Sequence, residues 1–241
     1  MAKSMKMDMK PTKTKRPDGR MADELREMDA KIGVVPRADG SAMFTCGKTI
    51  ALAAVYGPRE LHPKFLQNPQ KGVLRCNYNM LSFSGSGERV RPGPSRRSKE
   101  ISMVIEKALL PVLNMEQYPN AVIDIFVELI QTDAGTRCAG INAASLALAD
   151  AGIPMKDLVA ALAVGVVNGQ VAADLTKEEE DLDGAVDIAT AIQPNAGEFT
   201  LIQMDGKINK EHFVEALELA KNVSKKITEV QTRALKERYQ L

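Results

Sequence analysis

The stretch that most constrains the fold runs from Val122 to Ala151. Val122 to Ile130 is a near-continuous apolar run of strand length, which reads as a buried strand. Asp133-Ala134-Gly135-Thr136-Arg137 follows. Residues 138–151 then read as a helix rich in Ala, stopped by Gly152 and Pro154. A helix with so few bulky side chains can lie close against a sheet. Strand, glycine loop and close-packed helix in that order point to layered sheet and helix, an α+β domain.

The remaining chain extends this pattern. Strand-like runs occupy about 42–46 and 49–57, with Gly47-Lys48 between them as a hairpin signal. Gly72 to Leu81 alternates again, and a Gly/Ser/Pro-rich loop covers about 84–95. Ile101, Val104, Ile105, Ala108, Leu109 and Val112 recur at helical spacing over 98–113. Two further strand runs, about 158–167 and 169–175, flank the tight-turn pair Asn168-Gly169. A charged loop at 177–180 precedes strands at about 186–192 and 198–204, and a long amphipathic helix begins near 210. Residues 1–20, rich in Lys, Met and Pro, read as a basic tail ending in the turn-forming Arg16-Pro17-Asp18-Gly19-Arg20. The folded domain is expected over 21–241.

Composition limits what the domain can do. The 241 residues are 44% hydrophobic and 26% charged, with a net charge of only +1. No global field draws in a polyanion, so a nucleic-acid site has to come from local clusters of Arg and Lys. Cys46, Cys76 and Cys138 stand far apart without a CxxC pair, which argues against a zinc site or a disulfide scaffold and fits a reducing interior. No apolar run reaches membrane-spanning length and the N-terminus lacks the apolar core of a secretory signal, so a cytoplasmic protein with no membrane partner is expected. With only His62 and His212, Ser-His-Asp and Cys-His chemistry has little support.

Three clusters could carry chemistry. Arg89, Arg91, Arg96, Arg97 and Lys99 crowd a short loop, with Arg96 and Arg97 at the entrance of the 98–113 helix. Guanidinium forks beside the unpaired N–H groups of a helix N-terminus make an anion site; a solvated basic loop is the competing reading. Asp133 to Arg137, between strand and helix, can present backbone N–H groups to a phosphate. There Thr136 either caps the helix or donates its hydroxyl, and Arg137 adds charge; an ordinary helix start is the alternative. Neither a Walker A sequence nor GxGxxG is present.

The third cluster is acidic, Glu178 to Asp187. On one straight strand Asp181 and Asp187 would stand roughly 20 Å apart. A three-residue loop of Asp183, Gly184 and Ala185 would instead set them opposite each other, with Cβ atoms about 5 Å apart. Facing carboxylates persist if they share a proton or hold a divalent cation, and either serves catalysis. Taken alone, Glu-Glu-Glu-Asp equally describes a solvated loop. Arg59, Lys64 and Phe65 form a weaker cluster around His62, of a kind that can touch an RNA backbone and base.

These stretches, in this order, resemble the RNase PH family, most closely the catalytic RNase PH-like subunit of archaeal exosomes. The resemblance runs from Arg16-Pro-Asp-Gly-Arg20 through Tyr56-Gly-Pro-Arg-Glu60, Arg96-Arg-Ser-Lys-Glu-Ile101 and Asp133-Ala-Gly-Thr-Arg137 to Asp181 with Asp187 and the last helix. It implies a single RNase PH-type domain with the βαβα core shared with the second domain of ribosomal protein S5. It implies a hexameric ring around an RNA channel, in which active subunits alternate with an inactive RNase PH-like paralogue, capped by proteins carrying S1 or KH domains. The implied reaction is phosphorolytic 3′→5′ shortening of RNA, reversible to tail addition. Gly135, Thr136 and Arg137 would hold inorganic phosphate as co-substrate. Arg96 and Arg97 would grip the RNA 3′ end, Asp181 would be the general acid, and Asp181 and Asp187 would hold Mg²⁺ or Mn²⁺. Lys64 would line the RNA path. Related polynucleotide phosphorylases carry a Lys two residues after the second Asp, where this chain has Ala189. A non-catalytic RNA-binding ring subunit and a homohexameric tRNA-trimming RNase PH are the alternatives.

Overall fold

The computed structural model describes residues 16–240. Five strands form the first sheet: β1 (Met28–Ile32), β2 (Gly40–Cys46), β3 (Thr49–Glu60), β4 (Val73–Met80) and β5 (Ala121–Gln131). Their order is β1-β2-β3-β5-β4, antiparallel except for the parallel pair β4 and β5. A parallel pair needs a crossover, and α1 (Arg96–Leu109) supplies it, burying Ile101, Val104, Ile105, Ala108 and Leu109. β5 leads through Asp133–Gly135 into α2 (Thr136–Asp150).

The second sheet holds β6 (Ala160–Val167), β7 (Gln170–Ala173), β8 (Val186–Gln193) and β9 (Glu198–Asp205) in the order β7-β6-β8-β9, all antiparallel. Asn168 and Gly169 both adopt positive φ, 51° and 75°, as the tight turn between β6 and β7 requires. Between β7 and β8 lies a single helical turn, α3 (Lys177–Glu180), and the chain closes with α4 (Lys210–Tyr239), which packs on β1, β6 and β7.

Helix α2 joins the two sheets. It packs on β2, β3 and β5 of the first and on β6 and β8 of the second, and twelve of its fifteen residues are buried. The small side chains are what permit this. A Cβ on Gly140 would stand 3.2 Å from Val127 Cγ1, and one on Gly40 of β2 would stand 2.2 Å from the Ala151 backbone nitrogen. Where β6 runs beyond its pairing with β7, side chains take over the ladder. Asn142 accepts from the Ala161 N–H and donates to its carbonyl, both at 2.8 Å, and the Ser145 hydroxyl accepts from the Val159 N–H. Buried backbone groups thus stay paired.

Two elements differ from the sequence expectation. β1 is an edge strand not expected from the sequence; Met28, Ala30 and Ile32 alternate with the exposed Asp29 and Lys31, but the run is only five residues long and buries Ala30 alone. The 177–180 loop is the turn α3. Of the tail expected over 1–20, residues 1–15 lie outside the described residues; the Arg16 and Arg20 side chains are packed, at 6% and 12% exposure, while Pro17, Asp18 and Gly19 between them are exposed. No helix among the described residues is long and apolar enough to cross a membrane.

Candidate active site

The Asp133–Gly135 loop is bent by two successive positive-φ residues, Ala134 at 56° and Gly135 at 59°. Thr49 fixes it: its hydroxyl lies 2.9 Å from the Asp133 and Ala134 carbonyl oxygens and accepts from the Asp133 N–H. Gly135 is the N-cap of α2 and offers no capping side chain. Thr136 therefore begins the helix rather than capping it, and the first N–H groups of α2 carry the helix's positive end without a side-chain acceptor at the cap.

A cavity of about 290 Å³ opens at this helix end. Gly135, Thr136, Arg137, Arg97 and Asp187 all line it, so the two basic stretches and one of the two aspartates, distant in sequence, do meet. Ala189 lines it as well. Arg97 arrives on the first turn of α1, whose own N–H groups are partly satisfied by a Ser95–Ser98 capping box. Arg96 beside it is exposed and does not line the cavity.

The acidic residues sit differently from the sequence expectation. No Asp183–Ala185 hairpin sets Asp181 against Asp187. The chain forms α3 instead, Asp181 is its C-cap, and its exposed carboxylate pairs with Lys177. The register gives Asp187 different neighbours, Gly165 on β6 and Asp205 on β9. The acidic residues that line the cavity with Asp187 are Glu180 and Asp133, not Asp181. Burial pushes the Glu180 carboxyl up to about 7, Asp187 adds to the rise, and Lys177 and the Gly135 backbone oppose it. Burial also raises Asp187; Arg137 pulls it back and Asp205 pushes it further. Asp187 Oδ1 is buried without a hydrogen-bond partner.

Sequence reasoning assigned no part to the groups that hold this site. Asp174, just after β7, accepts from Arg26 Nε at 2.9 Å and Nη2 at 2.6 Å and faces Arg20 Nη1 at 3.4 Å. Burial alone would raise its carboxyl, but the Arg26 guanidinium and backbone, with Arg20, hold it below the usual carboxylate range. Arg26 also donates to the Asp133 carbonyl, so it ties the Asp133–Gly135 loop of the first sheet to the end of the second. Arg16 ion-pairs with Glu179 of α3 and donates to the Ala173 and Asp174 carbonyls. One local signal did mark α3: Thr176 with Glu179 three residues on, half of a capping box.

Lys64 stands elsewhere. It lies on the short 3₁₀ turn Lys64–Leu66 beyond β3, 3.6 Å from Glu60. β3 starts at Thr49, against the Asp133–Gly135 loop, so its far end is roughly 35 Å away at strand rise. The neighbouring Phe65 is 83% exposed.

Comparison with known proteins gives the same answer from both halves. Residues 24–154 match the model of the 3′ exoribonuclease family, domain 1, and residues 157–223 match domain 2 of that family. The exosome complex component Rrp41 of Pyrococcus furiosus is 53% identical over 225 residues, 93% of this chain and 89% of that protein. Its counterpart in Methanopyrus kandleri is 53% identical over 222 residues, 92% of each. Among solved structures, rice Rrp46 superposes with a TM-score of 0.81 at 26% identity, covering 92% of this chain and all of the other. With both domains matched in order and half the residues shared with such relatives, the chain belongs to the RNase PH family of 3′ exoribonucleases.

Proposed function

We propose that this chain is the catalytic subunit of an RNA-degrading exosome ring, a 3′→5′ exoribonuclease that uses inorganic phosphate in place of water. The observation that carries the reading is the convergence of Arg97, Arg137 and the open end of α2 on one cavity with Glu180 and Asp187. At roughly 30 Å³ per water the cavity holds about ten waters, room for a phosphate beside an RNA terminus.

Phosphate and RNA are both anions, and their approach is opposed by Coulomb repulsion. Gly135, Thr136 and Arg137 bind the phosphate through N–H groups, a hydroxyl and a guanidinium. Arg97 binds the terminal phosphodiester, with Arg96 next to it on the RNA. A phosphate oxygen attacks that phosphorus, the 3′ oxygen leaves with a proton, and a nucleoside 5′-diphosphate departs. The bond is transferred, not hydrolysed, so excess diphosphate drives tail addition. The resemblance gives the proton to Asp181, and the cavity wall offers Glu180 as well. A divalent ion, Mg²⁺ or Mn²⁺, fits the carboxylates here: Asp187 has an unpartnered buried oxygen and Glu180 lies beside it. Two protein carboxylates suffice for an ion that keeps water and phosphate oxygens as its other ligands. When bound it would offset the charge gathered on the reacting phosphates. The ring partner is the inactive paralogue, S1 or KH proteins form the cap, Lys64 and Phe65 lie on the RNA path, and the complex works in the cytoplasm.

The test is shortening of 5′-labelled RNA by the assembled ring with and without phosphate. Phosphate-dependent release of nucleoside diphosphates supports the reading; monophosphates, or shortening indifferent to phosphate, sink it. Asp181→Asn, Glu180→Gln and Asp187→Asn in the same ring assign the acid. The exposed position of Asp181 favours a second reading, a ring subunit that only binds RNA, and unchanged rates in all three variants would establish that one. A stable, active assembly of this chain alone, seen by mass measurement, would point to a homohexameric enzyme.

A further inference from the structure

We propose that Arg16 is a positioning residue of this reaction: through Glu179 it holds the α3 turn so that Glu180 stands at the cavity. The inference rests on the phosphorolytic reading of the site and adds to it a role for the N-terminal Arg16-Pro17-Asp18-Gly19-Arg20 turn.

The argument begins with what α3 cannot do for itself. Four residues are far below the length at which a helix is stable on its own, because nucleation is unfavourable and few bonds follow it. Its position has to come from an anchor. Of Glu178, Glu179, Glu180 and Asp181, only Glu179 is fully buried, at 1% exposure. Its carboxylate is saturated from two sides. Arg16 Nε and Nη2 take its two oxygens as a fork, and Oε2 also accepts from the Thr176 N–H and hydroxyl at 2.9 and 3.2 Å. Arg16 in turn is fixed by the Ala173 carbonyl at 2.6 Å and the Asp174 carbonyl at 2.9 Å, at the end of β7. The guanidinium thus links a rigid strand end to a turn that has no rigidity of its own, across 163 residues of sequence. The next residue after the anchored Glu179 lines the cavity, and the one after that is the helix's C-cap.

Arg16 touches neither the cavity wall nor any group given a chemical step, so its effect has to pass through Glu179. A displaced acid lowers the rate of proton delivery while the phosphate loop, held separately by Thr49 and Arg26, still binds phosphate. Misplacement by about 1 Å can cost up to about a hundredfold in rate.

The experiment uses the assembled ring carrying Arg16→Lys, Arg16→Met, or Arg16→Met with Glu179→Met. It reads kcat and phosphate KM for RNA shortening, melting temperature, and hydrogen exchange of the amides from 177 to 181. Arg16→Met is expected to lower kcat about tenfold or more with phosphate KM within about threefold, and to speed exchange in the turn. Arg16→Lys keeps the charge without the fork and should lose about threefold in kcat. The double variant removes both buried charges, so its melting temperature should return to within a few degrees of the parent, since an apolar pair often replaces a buried ion pair at little cost. Its kcat should stay low. Parent-like kcat in the double variant, or in Arg16→Lys, overturns the proposal, as does unchanged exchange across the turn. If Arg16→Met fails to assemble, Arg16→Lys decides. If the parent ring itself ignores phosphate, the reading of the site fails instead, and the exchange measurement still reports on the anchor.

Discussion

Replacing Asp174 by Asn should reveal how much of the fold is held by one buried carboxylate. The side chain is 6% exposed and sits between Arg26, on two of its guanidinium nitrogens, and Arg20. Asn keeps the shape and loses the charge, leaving two guanidinium groups beside a neutral amide. Removing one partner of a buried ion pair costs about 3–5 kcal/mol. At about 2–4 °C per kcal/mol for a chain of this size, the melting temperature should fall by between about 6 and 20 °C. The effect has a pH signature. Arg26 and Arg20 hold the Asp174 carboxyl below its ordinary value of 3.8, so its contribution is complete above that pH and disappears as pH falls through the lower, folded-state value. Urea unfolding of parent and variant chains at pH 7 and near pH 3 should show a gap that narrows in acid. A variant within about 1 kcal/mol of the parent at pH 7 would refute the reasoning, and so would a gap of the same size at both pH values. Because Arg26 also donates to the Asp133 carbonyl, the variant ring should bind phosphate more weakly.

Other outcomes follow from single groups. Arg137→Ala removes a charged donor from the cavity, which at about 1.5–3 kcal/mol should raise phosphate KM about 10- to 150-fold; phosphate titration of the shortening rate checks this. Gly165→Ala puts a Cβ 1.9 Å from the Val186 carbonyl oxygen, next to Asp187, and should destabilise by about 1–3 kcal/mol in denaturant titration while slowing RNA shortening. All three cysteines are buried; burial, with Asp174 beside it, pushes the Cys46 thiol up to about 12, and Cys76 and Cys138 are raised as well. A thiol reagent at pH 8 should therefore label none in the native chain and all three after unfolding.

Periodicity made the long elements legible. α1, β5 and α2 lie within a few residues of their expected ranges, because each buries one repeating set of side chains or is buried throughout. Of the basic residues, Arg97 and Gly135–Arg137 stand at the cavity, where local sequence puts them at helix starts, whereas Arg96 and Lys64 do not line it. The acidic half of the site was not legible. Whether Glu180 or Asp181 enters the cavity depends on which way a four-residue turn faces, and a contact with Arg16, 163 residues away, decides that. Arg26 and Asp174 were invisible for the same reason: each looks like an ordinary surface charge until the two sheets are brought together.

The position of α2 bears on how such a protein can be divided. The family is described as two domains, and the matched segments separate near residue 155. Yet α2, in the first segment, gives its Asn142 to Ala161 of β6 and its Ser145 to Val159 just before it, both in the second. Expressed as separate polypeptides, one half would carry a wet, half-naked alanine-rich helix, and the other would leave the backbone at Val159 and Ala161 without its side-chain partners. Neither should fold alone, and mixing the two should restore structure only if they find each other before aggregating. Two domains in lineage, the molecule is one in its thermodynamics.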